Sequence, residues 1–438
     1  MSATASKHWY RWLTLISIGA LVPSVVWILT RELHATPSGD AWYFHWQAAL
    51  IANGAGWFIS PLQYLSHHTV APSALHPPLW VLVLAFGDKI GLDSYPSQLF
   101  AAGVIGAGAV FMTGLAAREI AGSRAGLIAA AIAALYPNYW INYGLGLSET
   151  LILLLTGAVI LVSFKLWRRP SVPMAIALGV LCGLAALTRA EQVLLLLVVI
   201  VPLTLLLRGV ALRKRLQYGV VGIVAAGVVM APWLGFNLSR FTDSTYFSND
   251  SGTTLASSNC LPAYYKYLGS DDFFCLTHIE AVPGDESVQD AHDRKVALRY
   301  LKAHLSRLPV VLVARAAREF GVFAPISQLR RESNINQRPL LPAQIGLGMY
   351  YVLVVAGIYG AITLRRRRLP LVPFVGIFVE LVVTAMATFG QTRYRTPFEV
   401  VLVVLAAVAV DALLARRVRA TGGAVPERQP LQEEPVPS

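Results

Sequence analysis

Long apolar runs alternate with short basic clusters along most of this chain. The runs near 12–30, 97–117, 125–143, 147–166, 172–188, 190–208, 216–237, 343–364, 370–389 and 397–415 match the roughly 20 residues that an α-helix needs to cross a bilayer. Lys7 with Arg11, Arg118 with Arg124, Lys165 with Arg168 and Arg169, Arg208 with Arg213 to Arg215, Arg365 to Arg368, and Arg416 with Arg417 separate alternate runs. Loops rich in Lys and Arg stay in the cytoplasm. Threading by that rule gives about ten crossings with both ends inside. The first run has no small-residue cleavage site behind it and is long enough to span, so it reads as an anchor and not as a removed signal peptide. The segment 77–92 is short and holds Asp88 and Lys89; it is expected to be a juxtamembrane or partly inserted helix.

Two polar stretches are too long to be turns, about Arg31 to His76 and Leu238 to Pro342, and the threading puts both outside the cytoplasm. In the first, Trp42, Tyr43, Phe44 and Trp46 predict a helix lying in the interface, where aromatic rings are favoured. The second carries Tyr246, Phe247, Tyr264, Tyr265, Tyr267, Phe273 and Phe274 and is expected to be an ordered cap. Its segment Leu305 to Phe323 sets Arg307, Arg315, Arg318 and Glu319 among Val and Leu, which predicts a surface helix. The fold class is therefore an all-α polytopic membrane protein. It is organised as a transmembrane module over 1–237, an outer cap over 238–342, further transmembrane helices over 343–415, and a disordered cytoplasmic tail over 416–438, where Pro, Glu and Gly leave too little apolar surface to fold.

Composition agrees. Hydrophobic residues make up 55% of the chain and charged residues 14%, with a mean hydropathy of +0.57. A net charge of +12 would suggest nucleic acid in a soluble chain, but here the cations orient helices, and no nucleic-acid partner is expected. Of three cysteines, Cys182 lies in an apolar run, whereas Cys260 and Cys275 share one polar loop on the oxidising face. A disulfide there would contribute on the order of 3 kcal/mol by constraining a loop of ~15 residues; two free thiols are the alternative.

The ionisable groups outside the cytoplasm are the candidate chemistry. Asp40, in Pro37-Ser38-Gly39-Asp40-Ala41-Trp42-Tyr43, stands where the first span meets water, and its plain role is to cap the interfacial helix. His76 is held by Pro77-Pro78, which fix an extended backbone; a lone interfacial His is usually amphipathic filler. Glu149 begins a predicted helix, where the dipole favours a carboxylate. Arg189 and Glu191 share a tight outer turn and could neutralise each other. Arg240, Arg393 and Arg395 break the positive-inside pattern. Anion binding at the outer surface is one reason for cations to sit there.

The series Gly39-Asp40-Ala41-Trp42-Tyr43, His76-Pro77-Pro78-Leu79-Trp80, Leu147-Ser148-Glu149-Thr150-Leu151, Gly183-Leu184-Ala185-Ala186-Leu187-Thr188-Arg189, Pro232-Trp233 through Asn237 and Arg240, and Arg393-Tyr394-Arg395 resembles the GT-C membrane glycosyltransferases. The branch it resembles is that of protein O-mannosyltransferases and the aminoarabinose transferase acting on lipid A, over about residues 10–415. The resemblance implies a GT-C bundle of about 10 (10–13) transmembrane helices in a bacterial plasma membrane. It also implies transfer of a sugar, with inversion, from a polyprenyl-phosphate carrier to a lipid, glycan or protein acceptor outside the cytoplasm. Asp40 would be the base, and His76, Glu149, Arg189, Arg240, Arg393, Tyr394 and Arg395 would bind substrate, with His76, Arg240, Arg393 and Arg395 on the phosphate. Many relatives carry an Asp-Glu pair where this chain has Asp40-Ala41, and a Lys where it has His76. A single carboxylate makes an obligatory metal unexpected, though a divalent ion is compatible with the pattern. His in place of Lys weakens phosphate binding near neutral pH, because imidazole titrates at about 6.5.

The rival is a transporter or flippase, which would place charges in mid-helix beside Gly/Pro breaks in paired halves. Here the notable charges fall at outer helix ends. A reporter fused after Arg368 or Arg417 should be cytoplasmic, and one within 250–290 external; an external reporter at Arg368 overturns the threading.

Overall fold

The computed structural model describes residues 3–420. Helices make up almost all of its regular structure, and among the described residues the β-pairing reported is one isolated antiparallel bridge, Ile59 to Pro72. Six helices are long and apolar enough to cross a membrane: Lys7–Glu32, Tyr95–Ala121, Glu149–Arg168, Leu212–Leu238, Leu340–Arg366 and Thr396–Arg417. Shorter apolar helices cover Ser123–Leu135, Val172–Thr188, Ala190–Leu205 and Val372–Ala387. Together they occupy the ten apolar runs of the sequence. This is a multi-pass membrane protein.

Two runs differ from the continuous helices expected. The run 125–143 breaks at Tyr136, whose backbone is extended (ψ 114°), before a separate helix Pro137–Gly144 begins. Proline has no amide hydrogen and pushes the preceding residue out of the helical region. The run 190–208 opens as a 3-10 turn, Ala190–Leu194, widens to a π turn, Leu196–Ile200, and ends in the short helix Val201–Leu205.

Packing between helices rests on small residues. A Cβ on Gly179 would lie 2.0 Å from the Gly222 carbonyl oxygen, and one on Gly360 2.0 Å from that of Leu405. Backbones in lipid approach closely where side chains are missing, since lipid tails are as apolar as Leu and supply little hydrophobic drive. Apolar stripes remain on the outside instead: Val220, Val224 and Val228, one helical turn apart, are all exposed. In water such stripes would be unfavourable; facing acyl chains they are the expected surface.

The two long loops are ordered. The first contains helices Asp40–Ala52 and Pro61–His67. The second contains Ser251–Ser258, Glu286–Ala303, Leu308–Glu319 and Pro325–Asn336, and Cys260 is joined to Cys275 with Cα atoms 6.3 Å apart. Helix Pro78–Lys89 has 12 residues, about 18 Å at 1.5 Å per residue, too short to cross. The C-terminal helix reaches Ala420, beyond the boundary expected at 415; the rest of the expected tail lies outside the described residues.

The helix expected over 305–323 on the membrane surface and not through it is Leu308–Glu319, 12 residues long, but its charges turn inward. Helix Leu308–Glu319 buries Arg315, Arg318 and Glu319 between the second loop and the last helices. Arg315 donates to the Met386 and Ser258 carbonyls (3.0 and 2.6 Å) and to Asn259 Oδ1 (3.1 Å). Arg318 donates to the Leu268 carbonyl (2.5 Å), and Glu319 accepts from the Gln391 amide (3.0 Å). Charges on an apolar helix suggest water, but here backbone acceptors replace it. Arg315→Ala would orphan three buried acceptors and should lower stability by roughly 3 kcal/mol, since each unmade buried hydrogen bond costs about 1–3 kcal/mol. Thermal unfolding in detergent measures this, and an unchanged melting temperature would contradict the hub.

Candidate functional site

The site begins at Gly39. Its backbone sits at φ +55°, and a Cβ there would meet Asn336 Oδ1 at 2.7 Å. A residue without a side chain therefore lets the first loop touch the end of helix Pro325–Asn336 and turn directly into helix Asp40–Ala52. Asp40 is the first helical residue and does not cap; Gly39 holds the cap position, with no side-chain hydrogen bond. The capping role considered for Asp40 is not the one it has. Its side chain, 29% exposed, is paired with Arg393.

Arg393 is the centre of the arrangement. Nη2 donates to Asp40 Oδ2, while Nε lies 2.7 Å from Glu149 Oε1. Glu149, buried at the start of helix Glu149–Arg168, also accepts from Arg189 Nη1 at 3.0 Å. Arg189 follows helix Val172–Thr188 in extended backbone and donates through Nε to Glu191 at 2.5 Å. Cations and anions thus alternate from Asp40 through Arg393, Glu149 and Arg189 to Glu191. Tyr394 lies beneath both guanidiniums, 4.5 Å from Arg189 and 4.8 Å from Arg393.

His76 completes the open end. Its Nε2 lies 3.9 Å from Asp40 Oδ1, and its ring packs edge-on to Tyr43 (5.2 Å) and against Phe44 (5.0 Å). Burial pushes its pKa below 6.5; Asp40 pulls it up, and Arg189 and Arg393 push it down again. Burial alone would raise the Asp40 carboxyl, but Arg393, His76 and Arg189 outweigh it and hold the group well below the usual carboxylate range.

Arg240 and Arg395, assigned to phosphate from the sequence, are not brought to Asp40. Arg240 donates to the Phe58 and Ser73 carbonyls (2.7 and 2.6 Å) and to Asn237 Oδ1 (3.0 Å), with its guanidinium 4.3 Å from the Phe236 ring. It fastens the chain leading to His76 onto helix Leu212–Leu238. Arg395 donates to Glu399 (2.6 Å) and covers Tyr350 at 3.7 Å; Tyr136 and Asn138 bond the same carboxylate. The Cys260–Cys275 bridge lies in the second loop, away from these groups. Arg338 and Glu332 were missed. Arg338, at the loop end of Leu340–Arg366, is one of many cations in the second loop, and the sequence does not set it apart from the others.

The family of dolichyl-phosphate-mannose-protein mannosyltransferases matches residues 75–236, which include His76, Glu149 and Arg189. An Archaeoglobus fulgidus oligosaccharyltransferase, AglB, superposes with a TM-score of 0.56 at 16% identity over 96% of this chain and 53% of that one, in a complex with an inhibitory peptide and a dolichol-phosphate. The apo form of the A. fulgidus oligosaccharyltransferase gives 0.58 at 14% over 99% and 54%. The chain has the GT-C fold. It spans about half the length of these oligosaccharyltransferases. ArnT from Cupriavidus metallidurans, bound to undecaprenyl phosphate, is a looser match, with a TM-score of 0.44 at 16% identity over 95% of this chain and 81% of that one. No curated protein matches in sequence.

Within this GT-C fold, the depressed Asp40 pKa fixes a sign. A carboxylate lowered in the folded state contributes stability that is present above its unfolded pKa, about 3.9, and lost as pH falls below that. The stability difference between wild type and Asp40→Asn should therefore be constant from pH 7 to 8, above the range in which His76 titrates, and the carboxylate's share of it should be lost only below about pH 4. A difference that changes between pH 7 and 8 in thermal melts would mean that Arg393 does not hold Asp40 ionised.

Proposed function

We propose that the protein is a glycosyltransferase that moves a sugar from a polyprenyl-phosphate carrier to an acceptor hydroxyl on the extracytoplasmic face of a bacterial plasma membrane. The observation that carries this is Asp40, an ionised carboxylate left 29% exposed beside Arg393 and Glu149, which are buried and paired with each other. The GT-C fold and the mannosyltransferase-family match over residues 75–236 support it, as does a dolichol-phosphate in the A. fulgidus complex. The Cys260–Cys275 bridge supports an oxidising location for the second loop.

In this reading, the acceptor oxygen attacks the anomeric carbon opposite the carrier phosphate. One C–O bond forms as the sugar–phosphate C–O bond breaks; the bonding electrons leave with the phosphate, and the hydroxyl proton passes to Asp40. A single in-line displacement inverts the anomeric centre. Asp40, lowered by Arg393, is a weak base, so it takes the proton late, once bond formation has made the hydroxyl acidic. Charge developing on the departing phosphate falls to the arginines, which are worth more in a partly dry site than in water. A divalent ion between Asp40 and Glu149 would stand where Arg393 already bridges the two carboxylates. These donors do not fit it, and no step is derived through a metal.

Asp40→Asn keeps the shape of the side chain but cannot accept the proton. The purified variant should bind undecaprenyl phosphate as the parent does while turnover falls on the order of 10²-fold or more. Parental turnover by Asp40→Asn, in an assay supplied with lipid-linked sugars, would remove Asp40 as base.

A further inference from the structure

Each arginine of the Asp40 chain is already committed. Arg393 is shared by Asp40 and Glu149, and Arg189 by Glu149 and Glu191. Arg240 and Arg395 hold backbone and Glu399 elsewhere. An anion entering this site would find few free donors among them.

Arg338 is the least satisfied of the arginines nearby, although Arg395 also leaves Nη1 without a hydrogen bond. Arg338 is only 4% exposed, yet both Nε and Nη1 lack a hydrogen-bond partner, and among the described residues it is the one arginine with two such nitrogens. Its nearest carboxylate, Glu332, stands 3.5 Å from Nη1 and spends its other oxygen on Thr392 (2.7 Å) and Gln328 (3.5 Å). A buried guanidinium with unmade bonds is unfavourable unless something else completes it.

Its place in the fold says where that partner would come from. Helix Pro325–Asn336 ends against Gly39, and Gln337 turns the chain through a left-handed conformation (φ 53°). Arg338 follows at once, two residues beyond the group that touches the neighbour of Asp40. It is close enough to feel the charges of Glu332, Arg393, Glu149 and Arg395, two anions and two cations that offset one another in part. An anion entering here would complete the bonds left unmade on Nε and Nη1.

We propose that Arg338 is a phosphate-binding residue, receiving the phosphate of a lipid-linked sugar donor beside Arg393. This rests on the glycosyl-transfer reading for the lipid and on Arg338 itself for the anion. The planar fork of the guanidinium suits two phosphate oxygens at once, which a lysine ammonium cannot match.

The test uses the full chain in nanodiscs, with undecaprenyl phosphate, undecaprenol and inorganic phosphate as separate probes, for wild type, Arg338→Lys and Arg338→Gln. Undecaprenyl phosphate should bind Arg338→Gln on the order of 10- to 100-fold more weakly than wild type, with Arg338→Lys in between. Undecaprenol should bind all three alike. Equal affinity of wild type and Arg338→Gln for undecaprenyl phosphate overturns the proposal, as does a parallel loss for undecaprenol. A loss confined to inorganic phosphate would assign Arg338 to a free anion and remove the lipid carrier from the proposal. Wild-type protein that binds undecaprenyl phosphate no better than undecaprenol removes the glycosyl-transfer reading itself, a result distinct from the failure of Arg338 alone.

Discussion

The Arg393 guanidinium, shared between Asp40 and Glu149, is the contact on which the rest of the site depends. It joins residues 353 positions apart in the chain, and through Glu149 and Arg189 it ties four separate segments to one point. Buried charges are tolerated only when paired and hydrogen-bonded, because removing one partner leaves the other uncompensated, a loss of about 3–5 kcal/mol. The alternation of signs from Asp40 to Glu191 satisfies that constraint at every step. The two ends of the alternation, Asp40 and Glu191, are 29% and 22% exposed, while Arg393 and Glu149 between them are buried.

The fold brings these ends together by leaving things out. Gly39 lacks the Cβ that would strike Asn336, and the Gly179 and Gly222 backbones nearly touch, so helices in lipid come close without a hydrophobic drive. Buried arginines then do in the loops what apolar packing does in a soluble domain. Arg240 fixes the strand of chain before His76, and Arg315 and Arg318 lock the second loop onto the last helices. Together they replace water at five backbone carbonyls, two each for Arg240 and Arg315 and one for Arg318, with planar, permanently charged donors.

The apolar runs and the basic clusters made the helices legible, because a span has one length and one compositional signature. Breaks within them were less so. Pro137 carried the signal for the interruption at Tyr136 but was outweighed by the apolar residues around it. The candidate residues Asp40, His76, Glu149, Arg189, Arg393 and Tyr394 do converge, and all stand at helix ends or in loops where isolated charges were conspicuous. Arg240 and Arg395 were conspicuous for the same reason yet serve other contacts, since a sequence shows that a cation needs a partner without showing which carbonyl or carboxylate supplies it. Arg315 and Arg318 misled in the opposite direction: charge on an apolar helix implied solvent, and tertiary carbonyls took its place. Arg338 escaped notice because its distinction, two unpaired nitrogens in a buried position, exists only in three dimensions.

The claim that one arginine organises the site is tested most directly by a double-mutant cycle on unfolding free energy between Asp40→Asn and Arg393→Gln. If Arg393 holds Asp40 as described, the two changes will be strongly non-additive, with a coupling on the order of 2 kcal/mol at neutral pH. Additive effects, within about 0.3–0.5 kcal/mol, would mean that the two residues act independently and would contradict the account.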